Sequence, residues 1–174
     1  MKKICISFLI VAIIILSCIG LNLNGQSENK EYLRIHVRAN SNLETDQAVK
    51  YKVRDAVVEY LTPFIAECDT KEKAERLLTG RLEQISIVAE QVLMENGFNY
   101  GASAKVKNEK FPTRVYGELK LASGYYDALI LELGSGKGDN WWCVVYPPLC
   151  FTGTGTNYTY KSKIKQIIDE FFND

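Results

Sequence analysis

Both tryptophans, two of the five cysteines and two of the four prolines of this 174-residue chain lie in one short segment, residues 140–151. A cysteine thiol can act as a nucleophile, ligate a metal or close a disulfide, and tryptophan side chains anchor cores and interfaces. The proline pair fixes two φ angles and removes two donors, so it ends a strand. The segment indicates either a strand that packs aromatic side chains and then turns, or a rigid recognition or redox element. Its notable members are Trp141, Trp142, Cys143, Tyr146, Pro147, Pro148 and Cys150.

Catalytic or metal chemistry at these thiols would need partners from elsewhere in the chain. A thiol protease could combine Cys143 or Cys150 with His36 and with Asn40. Both cysteines, however, fall within or at the end of an apolar strand, and not at a helix start where a thiolate is stabilised. A zinc site has valid ligand types, but no Cys-x-x-Cys or helical histidine spacing pre-forms it; its ligands would be His36, Cys68, Cys143 and Cys150. The sequence therefore predicts no catalytic residue, no metal site and no cofactor.

The glycine-rich segment Gly134–Asp139 contains a Gly-Lys pair, as phosphate-binding loops do. A P-loop also needs Ser or Thr after the lysine and a helix after the loop. Here Gly138 follows Lys137, and a strand pattern comes next. The segment is predicted to be a flexible hairpin loop.

The segment Tyr32–Val37 alternates between apolar and basic residues, which is typical of a half-buried strand. The apolar positions are Leu33, Ile35 and Val37, and the basic ones are Arg34, His36 and Arg38. This alternation predicts that the basic positions form a solvent-facing stripe. Such a stripe either meets an acidic partner surface or is simply solvated.

The N-terminus has the pattern of an export segment. Lys2 and Lys3 precede an apolar run over residues 4–21, and small or polar residues follow. The run is also near the minimum length for a membrane-spanning helix, so an uncleaved anchor is the alternative, and Ile15–Cys18 faintly resembles a lipoprotein cleavage box. The sequence predicts a signal peptide or membrane anchor over residues 1–25 and a single domain over residues 26–174.

The charge balance and the cysteine count limit the classes of protein to which this chain can belong. The chain has 21 Lys plus Arg against 21 Asp plus Glu, so no basic excess supports nucleic-acid binding. Outside the leader there are three cysteines, and in an exported protein one pair can close a disulfide while the third stays unpaired within the chain. The spacing alone does not decide whether Cys143 pairs with Cys150 or whether either pairs with Cys68.

Two helices are predicted after the first strand. Glu44 and Asp46 favour a helix start, and an apolar stripe continues to about Pro63. Asp69–Glu72 has a capping-box arrangement and opens a second helix of about six turns that ends at Asn96-Gly97. Gly80 costs this helix about 1 kcal/mol relative to Ala. The pair is predicted to form an antiparallel helical hairpin lying on a sheet.

From residue 98 the hydrophobic period changes to two, which indicates strands. Strands are predicted over residues 102–107, 114–121, 127–133 and 141–146, the last two forming a hairpin around the glycine-rich loop. A final helix from about Ser162 has one apolar face, which belongs either to the core or to a partner or membrane contact. The predicted class is α+β: an antiparallel sheet with a helical hairpin on one face and a C-terminal helix, preceded by the signal or anchor segment.

Two long motifs resemble those of the stage II sporulation protein R family. The first comprises Leu33–Asn42 and Asp46–Ala56; the second comprises Gly124–Leu129, Gly134–Gly138 and Asn140–Phe151. The resemblance spans about residues 32–151 in the family's order, behind an export segment. Arg38, Asn42 and Tyr146 are mild departures from the family pattern.

The resemblance implies a signal and not an enzyme. Members of the family are made in the forespore and exported across its membrane into the space between the two septal membranes. There they activate the membrane-embedded aspartic protease of the mother cell that processes the sigma-E precursor. On this hypothesis the partner contacts are Trp141, Trp142, Tyr146, Pro147 and Pro148, with a second patch of Arg34, His36 and Asn40. The alternatives are a secreted Cys-dependent enzyme and an envelope ligand-binding module.

Overall fold

The computed structural model describes residues 31–152 and 158–173, so the predicted leader and the domain boundary at residue 26 lie outside the described residues. The elements are β1 (Leu33–Arg38), α1 (Glu44–Ile65), α2 (Lys71–Thr79), α3 (Leu82–Glu95), β2 (Ala102–Phe111), β3 (Arg114–Tyr116), β4 (Leu119–Leu121), β5 (Gly124–Leu133), β6 (Asn140–Tyr146), a 3-10 turn (Leu149–Phe151) and α4 (Tyr158–Asn173). The α+β class is confirmed. Among these helices, none combines the length and the hydrophobicity that crossing a bilayer requires.

The second predicted helix is two helices, and this corrects the sequence-based expectation. α2 ends at Thr79, Gly80 is its C-cap, and α3 begins at Leu82. Glycine is the weakest ordinary helix former in the segment, so the chain turns there at little cost. The predicted start is confirmed, because the Thr70 hydroxyl accepts a hydrogen bond from the Lys73 amide at 3.2 Å. α3, rather than α2, packs along α1.

The main sheet is mixed, not antiparallel. Its strand order is β2-β5-β1-β6, with β1 parallel to β5 and antiparallel to β6. β5 and β6 were predicted to pair as a hairpin, but β1 lies between them. Residues 134–139 therefore cross the end of β1 and do not form a hairpin tip.

Both faces of the sheet are covered. The helical face carries the alternating aliphatic residues of β1 and β5, which pack on the apolar stripes of α1 and α3; its members include Leu33, Ile35, Val37, Val53, Val57, Leu61, Ile85, Ala89, Leu93, Leu129 and Leu131. The opposite face, called here the second face, carries an aromatic cluster that includes Phe111, Leu121, Tyr126, Ala128, Ile130 and Val144. β1 is thus a central strand buried on both sides.

The segment predicted as one strand over residues 114–121 is a separate hairpin. β3 and β4 pair only with each other, and Gly117 between them has a φ of +61°. This conformation favours glycine and makes the tight turn that splits the predicted strand. The β3–β4 hairpin contributes Tyr116, Leu119 and Leu121 to the second face.

The C-terminal helix packs on the end of the sheet. Ile164 of α4 is 2% exposed, and the Phe171 ring lies 5.5 Å from that of Tyr32 and 6.0 Å from that of Tyr146. The apolar face of α4 therefore contributes to the core, while Phe172 remains 48% exposed.

Candidate functional site

The two segments that carry the sequence motifs meet at one end of the sheet. After β1, the Asn40 side chain accepts a hydrogen bond from the Ser135 amide at 2.9 Å, and its backbone oxygen accepts one from the Ser135 hydroxyl at 2.6 Å. The Asn42 side chain accepts a hydrogen bond from the Asp139 amide at 2.6 Å. Residues 39–42 and 134–139 are called here the loop pair. The glycine-rich loop is therefore engaged by protein groups and holds β1 in place between β5 and β6.

Asp46 at the start of α1 ties the loop pair to the helical layer. Its carboxylate accepts hydrogen bonds from the Asn40 amide at 3.0 Å, the Ser41 hydroxyl at 2.5 Å and the Tyr100 hydroxyl at 2.7 Å. Burial alone would raise the pKa of Asp46, but these hydrogen bonds outweigh it and lower the pKa. The residue is 3% exposed, so it is a buried structural anion.

Arg34 lies within the second face and not at the surface, so the predicted solvent-facing stripe is wrong. Arg34 is 0% exposed, and its guanidinium carbon lies 4.2 Å from the Phe111 ring centre and 4.8 Å from that of Tyr126. Its Nη2 atom donates to the Tyr116 hydroxyl at 2.6 Å. The aromatic side chains that cover it come from β2, β5 and the β3–β4 hairpin, which alternation within β1 cannot reveal.

The Arg34 guanidinium lacks some of the hydrogen-bond acceptors that a buried charge normally has. Its Nε and Nη1 atoms have no hydrogen-bond partner among the described residues. A buried donor left unsatisfied costs about 1–3 kcal/mol, whereas a desolvated cation–π contact returns about 2 kcal/mol. Burial lowers the pKa of the guanidinium, and the Tyr116 hydroxyl partly opposes this. The aromatic rings therefore stabilise the Arg34 guanidinium, but no described carboxylate pairs with it.

His36 is 4% exposed and belongs to an ionic cluster on the same face. Its Nδ1 atom lies 2.9 Å from the Glu109 carboxylate, which also pairs with Arg38; Arg38 in turn pairs with Glu132. Burial lowers the pKa of His36, while the Asn140 and Glu109 side chains partly oppose this. Burial would raise the pKa of Glu109, but Lys107, His36 and Arg38 hold it at about 2. Glu109 is therefore a fixed anion in this cluster.

The two tryptophans point to opposite faces of β6, and both are half-buried. Trp142 lies on the second face between the His36 ring, 5.3 Å away, and the Arg114 guanidinium carbon, 4.2 Å away. Trp141 packs on the helical side, where the guanidinium carbon of Arg54 lies 5.4 Å from its ring. Because β6 is an edge strand, both rings reach the surface at the rim of the sheet.

The residues that end β6 are buried. Tyr146 is 7% exposed and donates a hydrogen bond from its hydroxyl to the Asp69 backbone oxygen at 2.6 Å. Pro147 and Pro148 are buried behind it. The Tyr146 hydrogen bond fixes the end of the strand to the loop before α2, whereas Trp141, Trp142 and Asn40 remain half-exposed. Partner contact by any of the predicted residues stays a prediction.

Cys143 and Cys150 form a disulfide with Cα atoms 5.9 Å apart, while Cys68 is free and buried. Neither disulfide sulfur is available as the thiolate that the thiol-protease hypothesis requires. Burial raises the pKa of the Cys68 thiol. In the part of the chain that the structure describes, no group of three or more His, Cys, Asp or Glu side chains could hold a metal ion.

Sequence reasoning missed several residues of the second face. Glu109 and Phe111 lie two residues apart on β2 and so share a face, a period-two signal that could have grouped them. Their contacts with His36 and Arg34 join positions more than 70 residues apart, and no local pattern reports that. Arg114 and Tyr116 sit on a hairpin whose position depends on the folded sheet.

Comparison with known proteins places these features in a family. A family model described as Stage II sporulation protein R matches residues 29–156. The chain is similar to Stage II sporulation protein R of Bacillus subtilis (strain 168), with 36% identity over 119 residues. This match covers 68% of the chain and 53% of the relative, so the chain spans about half the length of that protein. No solved structure matches significantly.

Proposed function

Because the chain belongs to the stage II sporulation protein R family, we propose that it is an exported sporulation signal that acts by protein–protein binding and not by catalysis. Its partner is the membrane-embedded protease of the mother cell that processes the sigma-E precursor. The chain reaches it by crossing the forespore membrane into the intermembrane space, with residues 4–21 as the export segment or anchor. The match over residues 29–156 carries this proposal, since it includes the loop pair, the second face and β6.

A signal of this kind must bind the active state of its receptor more tightly than the inactive state. Trp141 and Trp142 are suited to that role, because tryptophan dominates binding hot spots and both rings are half-exposed at the edge strand. Arg54 and Arg114, which stack on the two rings, extend the same rim. His36, a buried member of the predicted set, supports this rim from inside the sheet, because its ring stacks on Trp142 at 5.3 Å. The other buried members are Arg34, Tyr146, Pro147 and Pro148.

Reconstitution tests the proposal. The full chain, the membrane-embedded protease and the sigma-E precursor are co-produced in a host that does not sporulate, and precursor cleavage is followed by immunoblot. Cleavage is expected only when all three proteins are present. Trp141→Ala and Trp142→Ala are expected to reduce cleavage without abolishing the folded circular-dichroism signal. The proposal fails if the wild-type chain gives no more cleavage than the protease alone.

Removing the disulfide distinguishes this proposal from the alternative that the chain is a Cys-dependent enzyme. A variant with Cys143→Ser and Cys150→Ser loses both sulfurs but keeps the rim of β6. If the chain acts by binding, this variant retains cleavage-triggering activity in proportion to its folded fraction. Complete loss of triggering by a fully folded variant would favour the enzyme.

A further inference from the structure

We infer that Arg34 is a binding site for a carboxylate side chain of a partner protein, and that the β3–β4 hairpin covers this site in the present structure. The inference rests on the proposed function for the identity of the partner. The conclusion that the ligand is a carboxylate rests only on the geometry around Arg34.

The guanidinium of Arg34 has unused binding capacity. It is 0% exposed, yet Nε and Nη1 lack acceptors among the described residues, and only Nη2 is engaged. The described carboxylates make no ion pair with it, although Arg38 on the same strand pairs with two of them. Two of the three guanidinium nitrogens of Arg34, Nε and Nη1, are therefore available to donate hydrogen bonds to a ligand.

The cover is a small element with its own backbone pairing. β3 and β4 hydrogen-bond to each other and not to the four-stranded sheet. The polar contact between hairpin and site is the Tyr116 hydroxyl on Nη2 of Arg34. Moving the hairpin would remove Tyr116 from Arg34 while leaving every strand pair of the main sheet intact. In the present structure the tyrosine hydroxyl occupies one of the positions that a carboxylate oxygen would take.

The chemistry of the site matches a carboxylate better than other anions. A carboxylate is planar and singly charged, and it accepts two parallel hydrogen bonds from one guanidinium. The rings of Phe111 and Tyr126, whose centres lie 4.2 and 4.8 Å from the guanidinium carbon, restrict the space beside it. Inorganic phosphate is tetrahedral and carries more charge than one guanidinium offsets.

The position of the site connects it to the proposed contact surface. Arg114 begins the hairpin, and its guanidinium carbon lies 4.2 Å from the Trp142 ring centre. It is half-buried at the rim, where an approaching acidic side chain would meet it first. A partner that engages Trp142 would therefore displace Arg114 and loosen the hairpin above Arg34.

Acetate binding to the full chain tests the site directly. The Arg34 Nε–H resonance is followed by ¹⁵N NMR during titration with sodium acetate, with sodium chloride at equal ionic strength as reference. Tyr116→Phe keeps the ring but removes the competing hydroxyl, so it is expected to tighten acetate binding at least threefold. Arg34→Met removes the response, and Lys110→Met, at an exposed position, keeps it.

Two results of the titration would overturn the inference. One is the absence of a saturable acetate response in Tyr116→Phe. The other is equal or tighter binding of inorganic phosphate, which would assign the site to a different anion. A saturable response to acetate, weaker for phosphate and lost in Arg34→Met, supports it.

The reconstituted cleavage assay connects the site to signalling. Arg34→Met removes the unsatisfied buried donors Nε and Nη1, which is favourable, and also removes the cation–π contacts and the hydrogen bond to Tyr116, which is unfavourable by a similar amount. The variant is therefore expected to leave the thermal unfolding midpoint nearly unchanged while lowering triggered cleavage at least tenfold. A lowered midpoint would show that Arg34 is structural, and unchanged cleavage by the folded variant would show that the site is not used; either result overturns the inference. If the wild-type chain itself triggers nothing, the proposed function fails, and the acetate titration still decides the site.

Discussion

The backbone of Gly138 lies directly against that of Ser41. A Cβ atom at residue 138 would stand 2.2 Å from the Ser41 carbonyl oxygen, closer than any side-chain contact allows. The Gly138 amide also donates a hydrogen bond to the Ala39 oxygen at 2.8 Å. The two motif segments therefore touch backbone to backbone, and glycine is required at residue 138 because of this approach.

Gly138→Ala is expected to destabilise the domain by about 2 kcal/mol or more, because backbone atoms of the loop pair must shift to admit the methyl group. Gly80→Ala is the matched control. A Cβ there meets its nearest atom at 3.5 Å, an ordinary contact, and alanine favours the helix end. Urea unfolding of both variants checks the prediction. Equal midpoints for the two variants would contradict it.

Asp46→Asn is expected to cost about 2 kcal/mol, since the hydrogen bonds from Asn40, Ser41 and Tyr100 lose their charge assistance and an NH2 donor replaces one of the two acceptor oxygens. Tyr100→Phe removes only one of these bonds and is expected to cost about 1 kcal/mol. The double variant should be less destabilised than the sum, because the residues share one network. Chemical denaturation of the three variants measures this coupling. Additive effects would show that Tyr100 acts independently of Asp46.

The sequence predicts the core-facing residues of β1 correctly but not the neighbours of each strand. Alternation in β1 correctly identifies Leu33, Ile35 and Val37 as core residues, since a period of two reports which side of a strand faces a core. It contains no information about pairing partners. β5 and β6 read as a hairpin because they are antiparallel and separated by a glycine-rich loop. β1 lies between them, and the contacts of Asn40 with Ser135 that accompany this arrangement join residues 95 apart.

The same limit explains why the sequence predicts a solvent-facing stripe for basic residues of β1 that are buried in the structure. Arg34, His36 and Arg38 alternate with aliphatic residues, a pattern that normally indicates a solvated face. The side chains that cover Arg34 and His36 include Tyr116 and Glu109, 82 and 73 residues away. Alternation looks the same whether charged side chains meet water or a polar-aromatic layer. Trp141 and Trp142, by contrast, are half-exposed, and their role as partner contacts stays a prediction.

Reduction of the Cys143–Cys150 disulfide is expected to lower the free energy of unfolding by about 2 kcal/mol, because the bridge closes a short loop and constrains the unfolded chain. The measurement is thermal or urea unfolding with and without a reductant. In a variant with Cys143→Ser and Cys150→Ser the reductant should have no further effect. An equal response of that variant would show that the reductant acts other than by cleaving this bridge.

Stability is expected to fall on acidification in two successive windows. The His36 pKa is lowered in the folded state, so the unfolded chain binds more protons as the pH falls through about 6.5 and stability begins to decrease. The Glu109 pKa is about 2 in the folded state against an ordinary value of 4.5, so its contribution is present above pH 4.5 and is lost towards pH 2. The Glu109 side chain is 13% exposed, and the full shift corresponds to about 3 kcal/mol.

Glu109→Gln isolates the second of these windows. The variant is expected to be less stable than wild type at pH 7, because Arg38 loses one of its two carboxylates. Between pH 4.5 and 2 it should lose less stability than wild type, since the group that takes up the proton is gone. Glu118→Gln, at an exposed position of the hairpin turn, should follow the wild-type profile. Urea midpoints at several pH values measure all three proteins. Parallel profiles for Glu109→Gln and wild type would show that Glu109 does not cause the acid sensitivity. The sensitivity would then be assigned to the other carboxyl groups with lowered pKa values, which are Asp46, Asp127 and Glu132.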